Sequence, residues 1–203
     1  MIPRLLLATR NAGKAREFSL LLQGSGFEVT TLDAEGIEGD VTESGKTFRE
    51  NACLKAAGYA VDDRFLVVAD DSGLEVDALG GAPGPLSARF GGEGATDADK
   101  VDLLLSRLQD VPPEARSARF RCVIAIASGR KVVGLCEGVC DGVISLEPRG
   151  SGGFGYDPVF YLPELKRTMA ELTLEEKNRI SHRARAAREA AGVLQRLRRG
   201  MQP

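Results

Sequence analysis

The stretch Phe65-Leu66-Val67-Val68-Ala69-Asp70-Asp71-Ser72-Gly73 decides the fold. Five apolar residues in a row read as a strand buried on both faces, as in the parallel sheets of α/β proteins. The pattern predicts that the strand stops at Ala69, where two carboxylates, a hydroxyl and a glycine take over as a turn. Ligands of α/β sheets sit beyond such C-terminal strand ends. Adjacent carboxylates repel each other unless a cation or a hydrogen-bond donor lies between them. The turn therefore reads as one that binds a metal or supplies a base. The alternative is a solvated turn, since Asp, Ser and Gly all favour turns.

Upstream, Leu5-Leu6-Leu7-Ala8 reads as a buried strand, followed by Thr9-Arg10-Asn11-Ala12-Gly13-Lys14 and then Ala15, Phe18 and Leu22 at helical spacing. Strand, polar loop and helix start together make an anion site. An ordinary P-loop is excluded, because it requires Gly at position 8 and Ser or Thr at position 15, and both are Ala. Lys14 either meets a phosphate or is a solvated first-turn lysine. A strand over residues 28–32 leads into an acidic segment, residues 33–45, that carries Glu35, Glu38, Asp40 and Glu43. Thr47 and Glu50 form a capping-box pattern that opens a helix with Phe48, Ala52, Ala56 and Tyr59 on its buried face. Asn51 and Lys55 lie four apart on another face, and either point together into a cleft or are solvated.

Downstream, residues 80–92 are a Gly- and Pro-rich loop, and Thr96 starts a helix patterned by Val101, Leu104, Leu105 and Leu108. Two long strands follow, turning at Ser128-Gly129-Arg130. Gly134, Gly138 and Gly142 predict bulges or a bend in the second of them. In Gly152-Gly153-Phe154-Gly155-Tyr156-Asp157-Pro158, glycines on both sides of Phe154 leave its ring clear for a flat base to stack. The alternative is a flexible hairpin connection. Thr173 and Glu176 form another capping box, and Ser181-His182-Arg183 opens the last helix.

Composition narrows the classes. A chain of 203 residues, 43% hydrophobic and 28% charged, suits one soluble domain, possibly of two lobes, with no linker that would split it. The net charge of −2 argues against a nucleic-acid coat, and no apolar run is long enough to span a bilayer. Met1-Ile2-Pro3-Arg4 is followed by only a short apolar run, so the expected location is the cytoplasm. Cys53, Cys122, Cys136 and Cys140 form no CxxC pair and read as buried reduced thiols, the alternative being a zinc site. With His182 the single histidine, a multi-histidine metal site is impossible.

Carboxylates (Glu43, Asp70, Asp71) suit Mg²⁺, cations (Lys14, Lys55, Lys177, Arg183) suit phosphates, and Phe154 suits a base: a nucleoside-triphosphate site. At this point the chain resembles the inosine/xanthosine triphosphate pyrophosphatase family. The match rests on residues 9–14, 47–52, 69–74, 80–84 and 152–158, and on Glu176-Lys177 through Ser181-His182-Arg183, in the family's order and over nearly the whole chain.

The resemblance implies an α/β fold, a mixed elongated sheet flanked by helices, in two lobes with the active-site cleft between them. It implies a Mg²⁺-dependent homodimer that acts on purine nucleoside triphosphates, with no nucleic-acid or membrane partner. The reaction implied is hydrolysis of ITP, dITP and XTP to the monophosphate and pyrophosphate. Asp71 resembles the general base and a metal ligand, and Glu43 a second ligand. Thr9, Arg10, Asn11, Ala12, Gly13, Lys14, Lys55 and Lys177 resemble triphosphate contacts, Asn51 a substrate contact, and Ser72 a nucleotide contact. Phe154, Gly155, Tyr156, Asp157, His182 and Arg183 resemble the base site. In the first loop Arg10 stands where many members carry a smaller residue, and its side chain is expected to point away. Two rival readings stand beside this one: a pyrophosphatase for modified pyrimidine triphosphates, and a nucleotide-binding module without catalysis.

Overall fold

The computed structural model describes residues 3–200. Met1 and Ile2, which carry part of the expectation about location, lie outside the described residues. In chain order the elements are β1 (Arg4–Leu7), α1 (Ala12–Leu21), β2 (Glu28–Thr31), α2 (Phe48–Tyr59), β3 (Leu66–Val76), α3 (Asp97–Arg107), β4 (Ser117–Ser128), β5 (Lys131–Ile144), β6 (Phe160–Leu162), β7 (Arg167–Thr168), α4 (Leu174–Ile180) and α5 (His182–Gly200). The strands form a sheet in the order β2-β1-β3-β4-β5-β6-β7. Pairs of β1 with β2 and β3 are parallel, whereas β5–β6 and β6–β7 are antiparallel, so the sheet is mixed as expected.

The chain gathers into two compact units. The first takes in the chain to Asp71, Cys122–Gly138 and the chain from His182. Its core shows why the Phe65–Ala69 run is apolar throughout. Successive side chains of a strand point to opposite faces. Leu66 and Val68 join Phe18 and Leu22 of the α1 region and Ala186, Ala190 and Leu194 of α5 on one face. Val67 and Ala69 join Phe48, Ala52 and Ala56 of α2 on the other. Thr47 caps α2 by accepting the Glu50 N–H, but only this half of the predicted capping box forms, because the Glu50 carboxylate accepts the Lys46 N–H instead.

The second unit comprises Ser72–Arg121 and Val139–Ser181. Leu74 and Val76 pack with Val101 and Leu104 of α3 and with Tyr156 and Phe160. Thr96 with Asp99, and Thr173 with Glu176, complete the capping boxes of α3 and α4.

Two expectations are corrected. β3 does not end at Ala69 but runs for 11 residues, through Asp70-Asp71-Ser72-Gly73 to Val76. The two carboxylates are buried strand residues, not a turn. Burying charge is costly unless it is paired, and partners described below make it tolerable. The glycines of β5 leave a 14-residue strand unbroken and instead mark close approaches. A Cβ on Gly138 would lie 2.1 Å from the His182 carbonyl oxygen, and one on Gly142 would lie 2.7 Å from the Phe160 ring. The short strand β7, only two residues long, gave no periodic signal.

Candidate active site

In the first unit, the alternation of β3 sends its two aspartates to different neighbours. Asp70 follows Leu66 and Val68 toward α1 and α5. Its Oδ2 lies 2.8 Å from Nζ of Lys14, in the first turn of α1. Lys14 is therefore not a solvated lysine. Burial pushes the Asp70 pKa up, but the charges of Lys14, Lys55 and Arg183 more than cancel this and hold it well below the carboxylate range. Asp71 follows Val67 and Ala69 toward α2. There Asn51 donates Nδ2–H to Oδ2 of Asp71 at 3.0 Å. Burial raises Asp71 to about 6 against the opposition of Lys14, Asn51 and Lys55, and Glu43 adds to the rise. One strand thus holds a carboxylate fixed as an anion beside one poised to exchange a proton near neutrality.

Helix α2 supplies a second pairing one turn along. Nζ of Lys55 lies 2.8 Å from Oε1 of Glu43, in the loop before the helix. Burial lowers the Lys55 pKa, but Asp70, Glu43 and Asp71 together raise it above its ordinary value. Asn51 and Lys55 are thus turned toward carboxylates rather than solvent.

The second unit holds a smaller cluster. Lys177 of α4 and Asp157 form a buried ion pair, with relative exposures of 3% and 2%. The Lys177 Nζ sits 4.8 Å from the centroid of the Phe154 ring, within cation–π range. Oδ2 of Asp157 also accepts the Phe154 backbone N–H at 3.0 Å, and Oδ2 of Asp97 accepts that of Gly155 at 2.6 Å. The glycine-flanked segment is therefore a pinned loop and not a slack connection.

The remaining candidates have local partners. Asn11 caps α1 by accepting the Lys14 N–H, and Oγ1 of Thr9 accepts the Asn11 N–H. Ala12 and Gly13 open α1. Arg10 turns to the acidic loop, donating to Asp40 at 2.7 Å, to Asp33, and to the carbonyls of Ile37 and Gly39. Tyr156 packs in the core of its unit, with its hydroxyl on the Ser87 carbonyl at 2.8 Å. Ser72 is half-buried in β3. His182 and Arg183 are buried at the start of α5, and Arg183 forms an ion pair with Glu17.

Sequence reasoning missed Glu17 and Asp97. In the sequence Glu17 is simply an acid beside Phe18, and its burial shows only in the structure. Asp97 was visible solely as a first-turn acid of α3.

Among the described residues, no group of three His, Cys, Asp or Glu could hold a metal ion unaided. Glu43 and Asp71 nevertheless feel each other's charge and offer hard oxygen donors. Mg²⁺ typically takes one or two carboxylates and completes its shell with water and substrate phosphates. The donor set fits such an ion.

The Ham1 family matches residues 5–193. The dITP/XTP pyrophosphatase of Geobacillus kaustophilus is 53% identical over 90% of this chain and 89% of its own length. That of Bacillus subtilis is 44% identical over 94% and 96%. Among solved structures, a HAM1 protein from Coxiella burnetii superposes with a TM-score of 0.86 at 41% identity, covering 96% of this chain and 99% of that one. The nucleoside-triphosphatase / dITP/XTP pyrophosphatase of Mycobacterium abscessus gives a TM-score of 0.73 at 42% identity over 92% and 98%.

Proposed function

Because the chain belongs to the Ham1 family, we infer that it is a hydrolase that removes the deaminated purine nucleotides dITP, XTP and ITP from the nucleotide pool. It cleaves them to the nucleoside monophosphate and pyrophosphate. The observation behind this reading is Asp71, a buried carboxylate that accepts from Asn51 at 3.0 Å, with the charges of Lys14 and Lys55 acting on it and its pKa raised by burial to about 6. A base with a pKa near the working pH, surrounded by groups that neutralise phosphate, suits attack of water on phosphorus.

We assign the triphosphate to the carboxylate and lysine cluster of the first unit. Asp71 takes the proton of the water that attacks the α-phosphorus. Lys14 and Lys55 offset charge on the triphosphate, and the backbone N–H groups at the start of α1 add to them. Glu43 and Asp71 would hold Mg²⁺, which when bound neutralises the phosphate oxygens and improves pyrophosphate as a leaving group. Phe154 stacks the purine. The 6-oxo group of hypoxanthine or xanthine accepts hydrogen bonds, whereas adenine sets an amino donor against any donor placed there. We place the enzyme in the cytoplasm as a homodimer. No helix of the described residues is long and apolar enough to cross a membrane.

The test is a panel of ITP, dITP, XTP, ATP, GTP and modified pyrimidine triphosphates with identification of products. We expect the three deaminated purines to be preferred and to yield monophosphate and pyrophosphate. Orthophosphate with a nucleoside diphosphate as first products would overturn the reaction, and a pyrimidine preference would overturn the substrate class.

A further inference from the structure

We propose that Asn51 is the positioning residue of Asp71, locked in place by the backbone of the loop that carries Glu43. This rests on the assignment of Asp71 as the base. Asn51 is buried, with 3% exposure, and its Nδ2 donates to Oδ2 of Asp71 at 3.0 Å. A side-chain amide can turn over, and a turned amide would set an oxygen against the carboxylate. The turn is blocked here, because Oδ1 of Asn51 accepts the Gly45 N–H at 2.8 Å. Only one orientation satisfies both neighbours. The reverse sets two acceptors and two donors face to face in a buried site, where each unmade bond is expensive.

Gly45 is what allows this lock. A Cβ there would lie 2.6 Å from Cβ of Glu50 and 2.7 Å from Oδ1 of Asn51, so a larger residue could not bring its N–H this close to α2. The next residue is pinned as well, since Oε2 of Glu50 accepts the Lys46 N–H at 2.6 Å. Two residues before Gly45, Glu43 meets Lys55, one turn beyond Asn51 on the same helix. Helix α2 therefore aims both carboxylates: Asp71 through a locked amide, and Glu43 through a charge and a fixed loop. Both ends of the Asn51 amide engage the protein, although the sequence placed this residue among the substrate contacts.

A base misplaced by about 1 Å can lose about 10²-fold in rate. For Asn51→Ala we expect kcat on ITP to fall about 10–100-fold while KM stays within about threefold. Asn51→Asp, nearly the same shape, turns a carboxylate toward Asp71 and should fall at least as far. Gly45→Ala, which adds no polar group, should reproduce the kcat defect and add little to Asn51→Ala. In an Asp71→Asn background, Asn51→Ala should change kcat by less than about threefold, because coupled residues are not additive. Thermal melts of Asn51→Asp and Gly45→Ala keep the test valid if Asn51→Ala does not fold. A rise in KM at unchanged kcat would make Asn51 a substrate contact and overturn the proposal. So would a full, multiplicative effect in the Asp71→Asn background. If Asp71→Asn itself keeps wild-type turnover, the base assignment falls and Asn51's role goes with it. An inactive Asp71→Asn beside a fully active Asn51→Ala removes the positioning role alone.

Discussion

The carboxylate cluster of the first unit and the Phe154 loop of the second use the same residue types in different proportions. The first sets three carboxylates, Glu43, Asp70 and Asp71, against two ammonium groups, Lys14 and Lys55, beside an Arg183 guanidinium that Glu17 balances. It carries an excess of negative charge that a divalent cation would relieve. The second sets two carboxylates, Asp157 and Asp97, against two ammonium groups, Lys177 and Lys100, and adds a ring and a run of glycines. It is balanced without help, which suits an uncharged, flat ligand. The difference teaches that the charge ratio, more than the choice of residues, separates a place for reacting phosphate from a place for a base.

The contrast breaks most completely if the cation is removed. Excess chelator should take turnover to the background rate, and added Mg²⁺ should restore it. Full activity in chelator would show that the first cluster balances its charge by itself.

Asp71→Asn comes next. Loss of the base should lower kcat by roughly 10²–10⁴-fold. The same substitution should stabilise the metal-free protein at pH 7, by about 1–3 kcal/mol, because a neutral amide replaces a carboxylate whose ionised form burial disfavours. The sign follows from linkage. Asp71's folded pKa of about 6 lies above its unfolded value. Its charge therefore destabilises the folded protein increasingly as pH rises from about 4 to 6, and constantly above that. The gain in the variant should vanish by about pH 4, as urea unfolding at several pH values would show. Asp70 has the opposite sign. Its lowered pKa gives stability that is present above the unfolded value and lost as pH falls through the folded one. An Asp71→Asn protein less stable than wild type at pH 7 would contradict this division.

In the second cluster, Lys177→Met leaves Asp157 buried without its ammonium. Breaking a buried pair on one side costs about 3–5 kcal/mol, whereas replacing both members is often close to neutral. Lys177→Met combined with Asp157→Asn should therefore recover most of the loss in urea unfolding. Failure to recover would mean that the pair is more than a balance of charge.

The smallest effect is expected at Arg10. Its contacts to Asp33 and Asp40 are solvent-exposed, and water and salt screen such pairs until they contribute little. Arg10→Ala should loosen the acidic loop with little change in the melting temperature. A drop of many degrees would give Arg10 a larger structural part.

Local patterns carried much of the fold. The capping boxes at Thr96 and Thr173 and the long strands β4 and β5 follow from residues a few positions apart. What escaped was set by distant partners. Nothing near Asp70 announces that Lys14, 56 positions earlier, makes it a strand residue, so the sequence reads as a turn. The Glu17–Arg183 pair spans 166 positions and is equally invisible locally. The glycines of β5 mark approaching neighbours rather than a change in their own backbone, and only packing distinguishes the two.

The alternation of β3 makes membership of the site a matter of parity. Even positions 66, 68 and 70 answer to α1 and α5, and odd positions 67, 69 and 71 answer to α2. The two aspartates are chemically identical letters whose meaning is set by count. Deleting one residue between 66 and 69 would hand each aspartate the other's address, placing a structural counter-ion where the base should be, without changing a single functional side chain. The stretch should tolerate substitution of one apolar residue for another far better than a change of length.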